Sequence, residues 1–159
     1  MEWVCLDSDW DLICALDAER QNAKRNYRSG LHLSKHSTWL VGLAAEVAIS
    51  RLTGQPIDET LRPCGDNGKD FACDFGSVDV KGTVYISDPD LVTFPDKAES
   101  DYYQLVAVDI GSRRARPVGW ATAGEVREAP LHDYGHGERR RLKSHELHPG
   151  IVPSMEWHA

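Results

Sequence analysis

Residues 70–81, DFACDFGSVDVK, contain the pattern that decides the fold. Apolar and charged residues alternate on both sides of a central turn sequence, as is typical of two paired β-strands. Because strand side chains point alternately to opposite faces, Asp79 and Lys81 share one face and their apolar neighbours share the other. With an even loop, at residues 75–76 or 74–77, Asp70 pairs with Lys81, so the stretch predicts a β-hairpin with Asp70, Asp79 and Lys81 on its polar face.

The register of this hairpin depends on its loop, for which two positions fit the pattern, residues 75–76 and residues 74–77. Either position places Asp70 diagonal to Asp79. Diagonal residues are roughly 7–8 Å apart, close enough for two carboxylates to share one metal ion. Asp74 is a competitor for this role, but Asp at the first position of a turn that also contains Gly is ordinary turn chemistry. We therefore expect Asp74 to be structural.

Two carboxylates and a lysine on one strand face have a definite use in hydrolysing a phosphodiester. One or two Mg²⁺ ions held by carboxylates stabilise charge on the phosphate oxygens and supply hydroxide near neutral pH. Lys81, beside the metal, would orient or deprotonate the attacking water and offset phosphate charge. The alternative is a surface hairpin whose Asp and Lys side chains form ion pairs and have no further role.

Two helices are predicted before the hairpin. The first, capped by Asp7 or Ser8, covers about residues 8–29. The second covers about residues 39–52 and ends before Gly54, and its apolar residues cover most of its circumference, so we expect it to be buried.

Glu46 lies in the middle of this second, apolar helix. A buried carboxylate is costly unless it has a partner. Glu46 would supply a further ligand to the metal or hold a water molecule on it. Glu46 therefore joins Asp70, Asp79 and Lys81 as a candidate site residue.

The rest of the chain predicts further strands and one short helix. Residues 102–110 have the strongest strand pattern, residues 116–121 form a shorter strand, and a helix follows over about 122–128. Residues 87–101 are expected to be an exposed loop, and the tail from residue 129 to hold little beyond a strand near 141–143. The fold class is therefore α/β, a mixed β-sheet flanked by helices.

Length and composition limit the classes of protein to which this chain can belong. A chain of 159 residues, 41% hydrophobic and 27% charged, fits a single domain over residues 1–159. No apolar run approaches the roughly 20 residues of a membrane span, and the acidic N-terminus is unlike a signal peptide, so we expect a cytoplasmic protein. The net charge of −7 does not exclude nucleic acid, because an empty metal site is acidic and residues 113–159 carry eight Lys or Arg against six Asp or Glu.

The order of these elements resembles the PD-(D/E)XK nuclease superfamily, whose core has a helix bearing Glu, then an Asp, then a strand with (D/E)-x-K. The matching segments are residues 42–46, 68–71 and 78–83. Residues 103–110 and 117–122 look like the later core strand and the turn into the next helix. The resemblance covers about residues 37–128 and is greatest to small phage-type and Holliday-junction-resolvase-like members.

The resemblance implies a restriction-endonuclease-like core and a set of site residues. Glu46, Asp70 and Asp79 would ligate metal, the Val80 carbonyl would be a further ligand, and Lys81 would be the catalytic lysine. The chain departs from the pattern in that Lys stands at position 69 where the family has Pro, and in that the second acid is Asp rather than Glu. Neither departure removes a ligand.

The implied activity is a Mg²⁺-dependent deoxyribonuclease, with Mn²⁺ able to substitute, that acts as an endonuclease on phage-type or structured DNA. It would work in the cytoplasm, that of a host if the chain is phage-encoded. A homodimer would allow two strands to be cut. The alternatives are a nuclease acting on RNA or single strands, and a non-catalytic nucleic-acid-binding or assembly protein with the nuclease fold. A small binding protein with an ion-paired hairpin is a third.

Basic and aromatic residues outside this set have two interpretations each. The run Arg139, Arg140 and Arg141 either grips phosphates beside the acidic site or is a solvated charge run. A second arginine cluster is expected in a solvated turn and consists of Arg113, Arg114 and Arg116. Three tyrosines are expected to pack within the strands rather than to form a base-stacking platform, namely Tyr85, Tyr102 and Tyr103.

Overall fold

A computed structural model describes residues 1–27, 38–59, 69–95, 100–135 and 137–152. Short 3₁₀ turns lie before the first helix and after the last strand, at Asp7–Asp9 and Ser144–Glu146. No helix in these ranges is long and apolar enough to cross a membrane. The helices and strands are β1 (Val4–Cys5), α1 (Trp10–Tyr27), α2 (Thr38–Thr53), β2 (Phe71–Cys73), β3 (Gly76–Thr83), β4 (Leu91–Thr93), β5 (Tyr102–Asp109), β6 (Arg114–Thr122), α3 (Ala123–Glu128), β7 (Leu131–Asp133) and β8 (Glu138–Leu142).

The main sheet has five strands in the order β1-β6-β5-β3-β2. Strands β3 and β5 are parallel, and the other neighbours are antiparallel. Strand β3, which carries the predicted site, is thus an interior strand. The α/β class with a mixed sheet is confirmed.

Helices α1 and α2 cover one face of this sheet. The buried side of α2 packs on Val78 and Val80 of β3, in a core that continues to α1. Gly82 allows the helix to come close, because a Cβ at this position would lie 2.6 Å from the Val41 backbone oxygen. The helix ends as predicted at Gly54, whose φ of 75° suits glycine and whose N–H donates to the Ser50 carbonyl at 2.8 Å. The predicted buried helix is confirmed.

A second layer covers the opposite face of the main sheet. It consists of α3 and a small antiparallel sheet in the order β4-β8-β7. Tyr103 and Leu105 of β5 are buried there against Leu91 of β4 and Val126 of α3. Helix α3 begins as predicted, with Thr122 as its N-cap in a capping box. Val78 and Asp79 alternate in β3, so Asp79 and Lys81 project on the side of this second layer.

The small sheet corrects two predictions. Residues 87–101 are not an uninterrupted loop, because β4 lies within them, and the tail contains β7 and β8. The strand predicted near residues 141–143 lies at Glu138–Leu142. Strand β4 has three residues and β8 is mostly charged, so neither has a strong pattern of its own, and pairing between them stabilises both. The first helix also differs at its start, since Asp7 and Ser8 lie in a 3₁₀ turn rather than at a cap.

Candidate active site

The loop between β2 and β3 has an even number of residues, as predicted, but the two strands pair in a different register. The loop is Asp74-Phe75, Cys73 pairs with Gly76, and Phe71 pairs with Val78. The predicted register, with Asp70 opposite Lys81, is wrong by two residues. The loop lies one residue earlier than the two-residue loop predicted, and Asp74 is in the turn, as expected of a structural residue.

A contact with Asp101, the residue before β5, explains this register. The Asp101 carboxylate accepts hydrogen bonds from the Ser77 N–H at 2.8 Å and the Ser77 hydroxyl at 3.0 Å. These bonds hold the pKa of Asp101 below its ordinary value. Gly76 has a φ of 136°, and a Cβ there would lie 2.8 Å from the same carboxylate. Only glycine therefore allows the turn to close against Asp101.

Asp70 lies just before β2, beside the part of β3 that continues past its pairing with β2. Its N–H donates to the Val78 carbonyl at 2.9 Å, and its carboxylate accepts a hydrogen bond from the Val80 N–H at 2.6 Å. The carboxylate thus takes the place that a longer β2 would occupy beside β3. Since the N–H and C=O of one strand residue point to the same side, the Val80 carbonyl faces the edge at which the Asp70 carboxylate lies.

Asp79 and Lys81 form a close ion pair on β3. Asp79 is only 6% exposed, and its Oδ2 lies 2.7 Å from Nζ of Lys81, whose side chain is 39% exposed. The Asp70 carboxylate accepts its hydrogen bond from the Val80 N–H, which belongs to the peptide bond that follows Asp79. The Asp70 carboxylate is thus bonded to the β3 backbone at Val80, between Asp79 and Lys81 along the strand.

Glu46 is not part of this group. It is 7% exposed on α2, and its two carboxylate oxygens lie 3.3 and 3.4 Å from the guanidinium nitrogens of Arg20 on α1. Arg20 also donates to the Asp58 carbonyl at 3.1 Å. Helix α2 packs on the Val78 face of β3, opposite to the Asp79 face. The partner that a buried Glu46 requires is thus Arg20, which the sequence analysis did not identify.

The donor atoms at the β3 edge suit a hard divalent cation. Among the described residues, no three His, Cys, Asp or Glu side chains lie close enough to hold one metal ion. Mg²⁺, however, is usually held by one or two carboxylates and keeps several waters. Asp70 and Asp79, with the Val80 carbonyl, offer oxygen donors of the kind that Mg²⁺ prefers.

The predicted arginine run lies on β8, where its three members have different surroundings. The Arg139 guanidinium lies 4.1 Å from the centre of the Phe94 ring, and Arg141 lies 3.8 Å from the Asp90 carboxylate. Arg140, between them, points to the other side of the small sheet and donates to the Ala129 carbonyl at 2.9 Å. The run is thus neither wholly solvated nor a single basic surface.

The second arginine cluster and the tyrosines differ from expectation in part. Arg113 lies in the exposed turn before β6, as predicted, whereas Arg114 and Arg116 belong to β6, where both lie over the Trp3 ring at 4.4 and 5.2 Å. Tyr103 is buried as predicted, whereas Tyr85 lies beyond the end of β3 and is 75% exposed. No periodicity in the sequence signals these contacts, since Trp3 and the arginines are distant along the chain.

Comparison with family models, with curated proteins and with solved structures finds no match to this chain. The functional assignment therefore depends on the geometry of the site.

Proposed function

We propose that this protein is a Mg²⁺-dependent nuclease of PD-(D/E)XK type that hydrolyses phosphodiester bonds of DNA. In this proposal, the mixed sheet with α2 on one face corresponds to a restriction-endonuclease-like core. Asp70, Asp79 and the Val80 carbonyl hold the metal, and Lys81 is the catalytic lysine.

The observation that carries the proposal is the burial of Asp79 on an interior strand beside a second carboxylate. A surface hairpin stabilised by an ion pair would leave both partners in water, whereas Asp79 is 6% exposed. Withdrawing a carboxylate from water costs several kcal/mol. Buried acids with a specific charged partner cluster at functional sites. Here the partner, Lys81, remains accessible to a substrate.

The residues have separate parts in the proposed reaction. A divalent ion, when bound, neutralises charge on the non-bridging phosphate oxygens and lowers the pKa of water. Lys81 is held by Asp79 at 2.7 Å, so its ammonium group is oriented towards a phosphate that approaches the carboxylates. It orients the attacking water and stabilises the extra negative charge of the transition state. The Val80 N–H keeps the Asp70 carboxylate at the edge of β3.

Glu46 stands outside the ligand set in this proposal, although the resemblance implies that it is a ligand. Its carboxylate is bound by Arg20, and two carboxylates suffice for Mg²⁺. Its proposed part is to fix α1 against α2. The alternatives of a non-catalytic binding protein and of an ion-paired hairpin make no use of a metal.

The test is cleavage of supercoiled plasmid, linear duplex, single strand, flap and four-way junction with Mg²⁺, Mn²⁺ or EDTA. Asp79→Asn and Lys81→Ala are compared with matched controls, Asp74→Asn in the same hairpin and Lys143→Ala on the surface. Loss of a group that acts in proton transfer or charge stabilisation costs about 10²- to 10⁴-fold in rate. We expect that loss in the first two variants and in neither control. Equal rates in all four variants, or cleavage that persists in EDTA, would contradict the proposal.

A further inference from the structure

The outer face of the small sheet carries an aromatic and basic row that the proposed active site does not use. Arg140 and Thr93 pair on the inner face, so the residues that alternate with them face outward. His132 of β7 pairs with Arg139 of β8, and Arg139 lies over the ring of Phe94, the residue that follows β4. We define this row, extended by Tyr134, as the outer platform.

Contacts within the outer platform order it for stacking. The Arg139 guanidinium lies 4.1 Å from the centre of the Phe94 ring, and the rings of His132 and Tyr134 meet edge to face at 4.5 Å. Phe94 is 56% exposed and Tyr134 is 42% exposed. The Arg139 guanidinium donates one hydrogen bond to the Glu138 carbonyl at 2.9 Å, and an arginine stacked on an aromatic ring still presents its charge and further donors to an anion. Such a face is suited to a flat, anionic polymer.

The charge on this face favours nucleic acid. Arg139 and Arg141 lie on it two residues apart, and the acid facing Arg141 is Asp90, at 3.8 Å. Arg139 therefore contributes positive charge beside the Phe94 ring, although the chain as a whole carries −7. Paired bases in a duplex present no open ring faces, whereas single strands stack their bases on aromatic and arginine side chains.

We propose that the outer platform binds single-stranded DNA by stacking bases on Phe94 and Arg139. This inference builds on the proposed nuclease function, and it assigns the enzyme a substrate with a single-stranded segment.

The test measures binding apart from cleavage, by fluorescence anisotropy of a labelled single-stranded oligodeoxynucleotide with wild-type protein in EDTA. We expect Phe94→Leu to weaken binding at least about fivefold, the equivalent of about 1 kcal/mol for one stacked base, without changing the salt dependence. Arg139→Ala should weaken binding and also lower the slope of log K against log salt by about 0.7, one single-strand phosphate contact. Tyr85→Leu and Arg113→Ala, exposed aromatic and arginine positions elsewhere, are the matched controls.

The outcomes separate the two proposals. Unchanged affinity in both platform variants, equal effects in the two controls, or tighter binding of duplex than of single strand would each overturn the platform. Circular dichroism of each variant verifies that it is folded. Single-strand binding that depends on Phe94, in a protein that cleaves no DNA with Mg²⁺, would support the platform while refuting the nuclease. Cleavage without such binding would do the opposite.

Discussion

The ion pair between Glu46 and Arg20 allows an experiment to distinguish the two possible roles of Glu46, which are to fix α1 to α2 or to bind the metal. If Glu46 fixes α1 to α2, Glu46→Gln should destabilise the fold and leave the chemistry intact. The Glu46 side chain is 9% exposed and that of Arg20 is 23% exposed. Removing one partner of a fully buried pair costs about 3–5 kcal/mol. Arg20 keeps some water and its bond to the Asp58 carbonyl, so we expect a smaller loss, about 2–3 kcal/mol.

Urea and thermal denaturation measure this loss. For a protein of this length, about 2–3 kcal/mol lowers Tm by about 4–12 °C. Glu19→Gln, an exposed glutamate next to Arg20, is the matched control and should stay within about 0.5 kcal/mol of wild type. The reasoning is refuted if Glu46→Gln is as stable as this control. A loss of cleavage by 100-fold or more with stability intact would instead make Glu46 a ligand.

Three further predictions concern the frame of the site. Gly82→Ala places a Cβ 2.6 Å from the backbone of α2 and should lower stability by about 1–3 kcal/mol in urea denaturation, whereas a neutral effect would show that the helix moves freely. Thr122→Ala removes the cap of α3, which should cost about 1 kcal/mol in the same assay, and no change would mean that the capping box is not formed in solution. The bonds from Ser77 hold the pKa of Asp101 below its ordinary value of 3.8, so its contribution is present above that value and is lost as the pH falls through the lower, folded pKa. The stability advantage of wild type over Asp101→Asn should accordingly shrink as the pH falls below 3.8, and a constant difference would contradict this.

Local pattern predicted those parts of the fold that have strong signals of their own. The apolar circumference of α2 and the glycine after it located the helix to within a residue or two. The alternation in residues 70–81 predicted the hairpin and the shared face of Asp79 and Lys81. The β3–Asp101 contact determines the register, and it connects residues 24 positions apart. A pattern local to the hairpin therefore predicted the wrong register.

The surroundings of the charged residues were the least predictable. Glu46 stood out as a buried acid, yet its partner Arg20 lies 26 positions earlier on another helix. The aromatic ring under Arg139 belongs to Phe94, which follows a short strand in a stretch that its prolines marked as a loop. Such pairs form when tertiary packing brings elements together, and neither member alone indicates the other.

The rate of DNA cleavage against Mg²⁺ concentration, measured for wild type, Asp79→Asn and Asp74→Asn, tests the central claim most directly. The account predicts a rate that rises and saturates with Mg²⁺ in wild type and in Asp74→Asn, with at least about 100-fold slower cleavage in Asp79→Asn. Equal Mg²⁺-dependent rates in the two aspartate variants, or no cleavage by a folded wild-type protein, would contradict it.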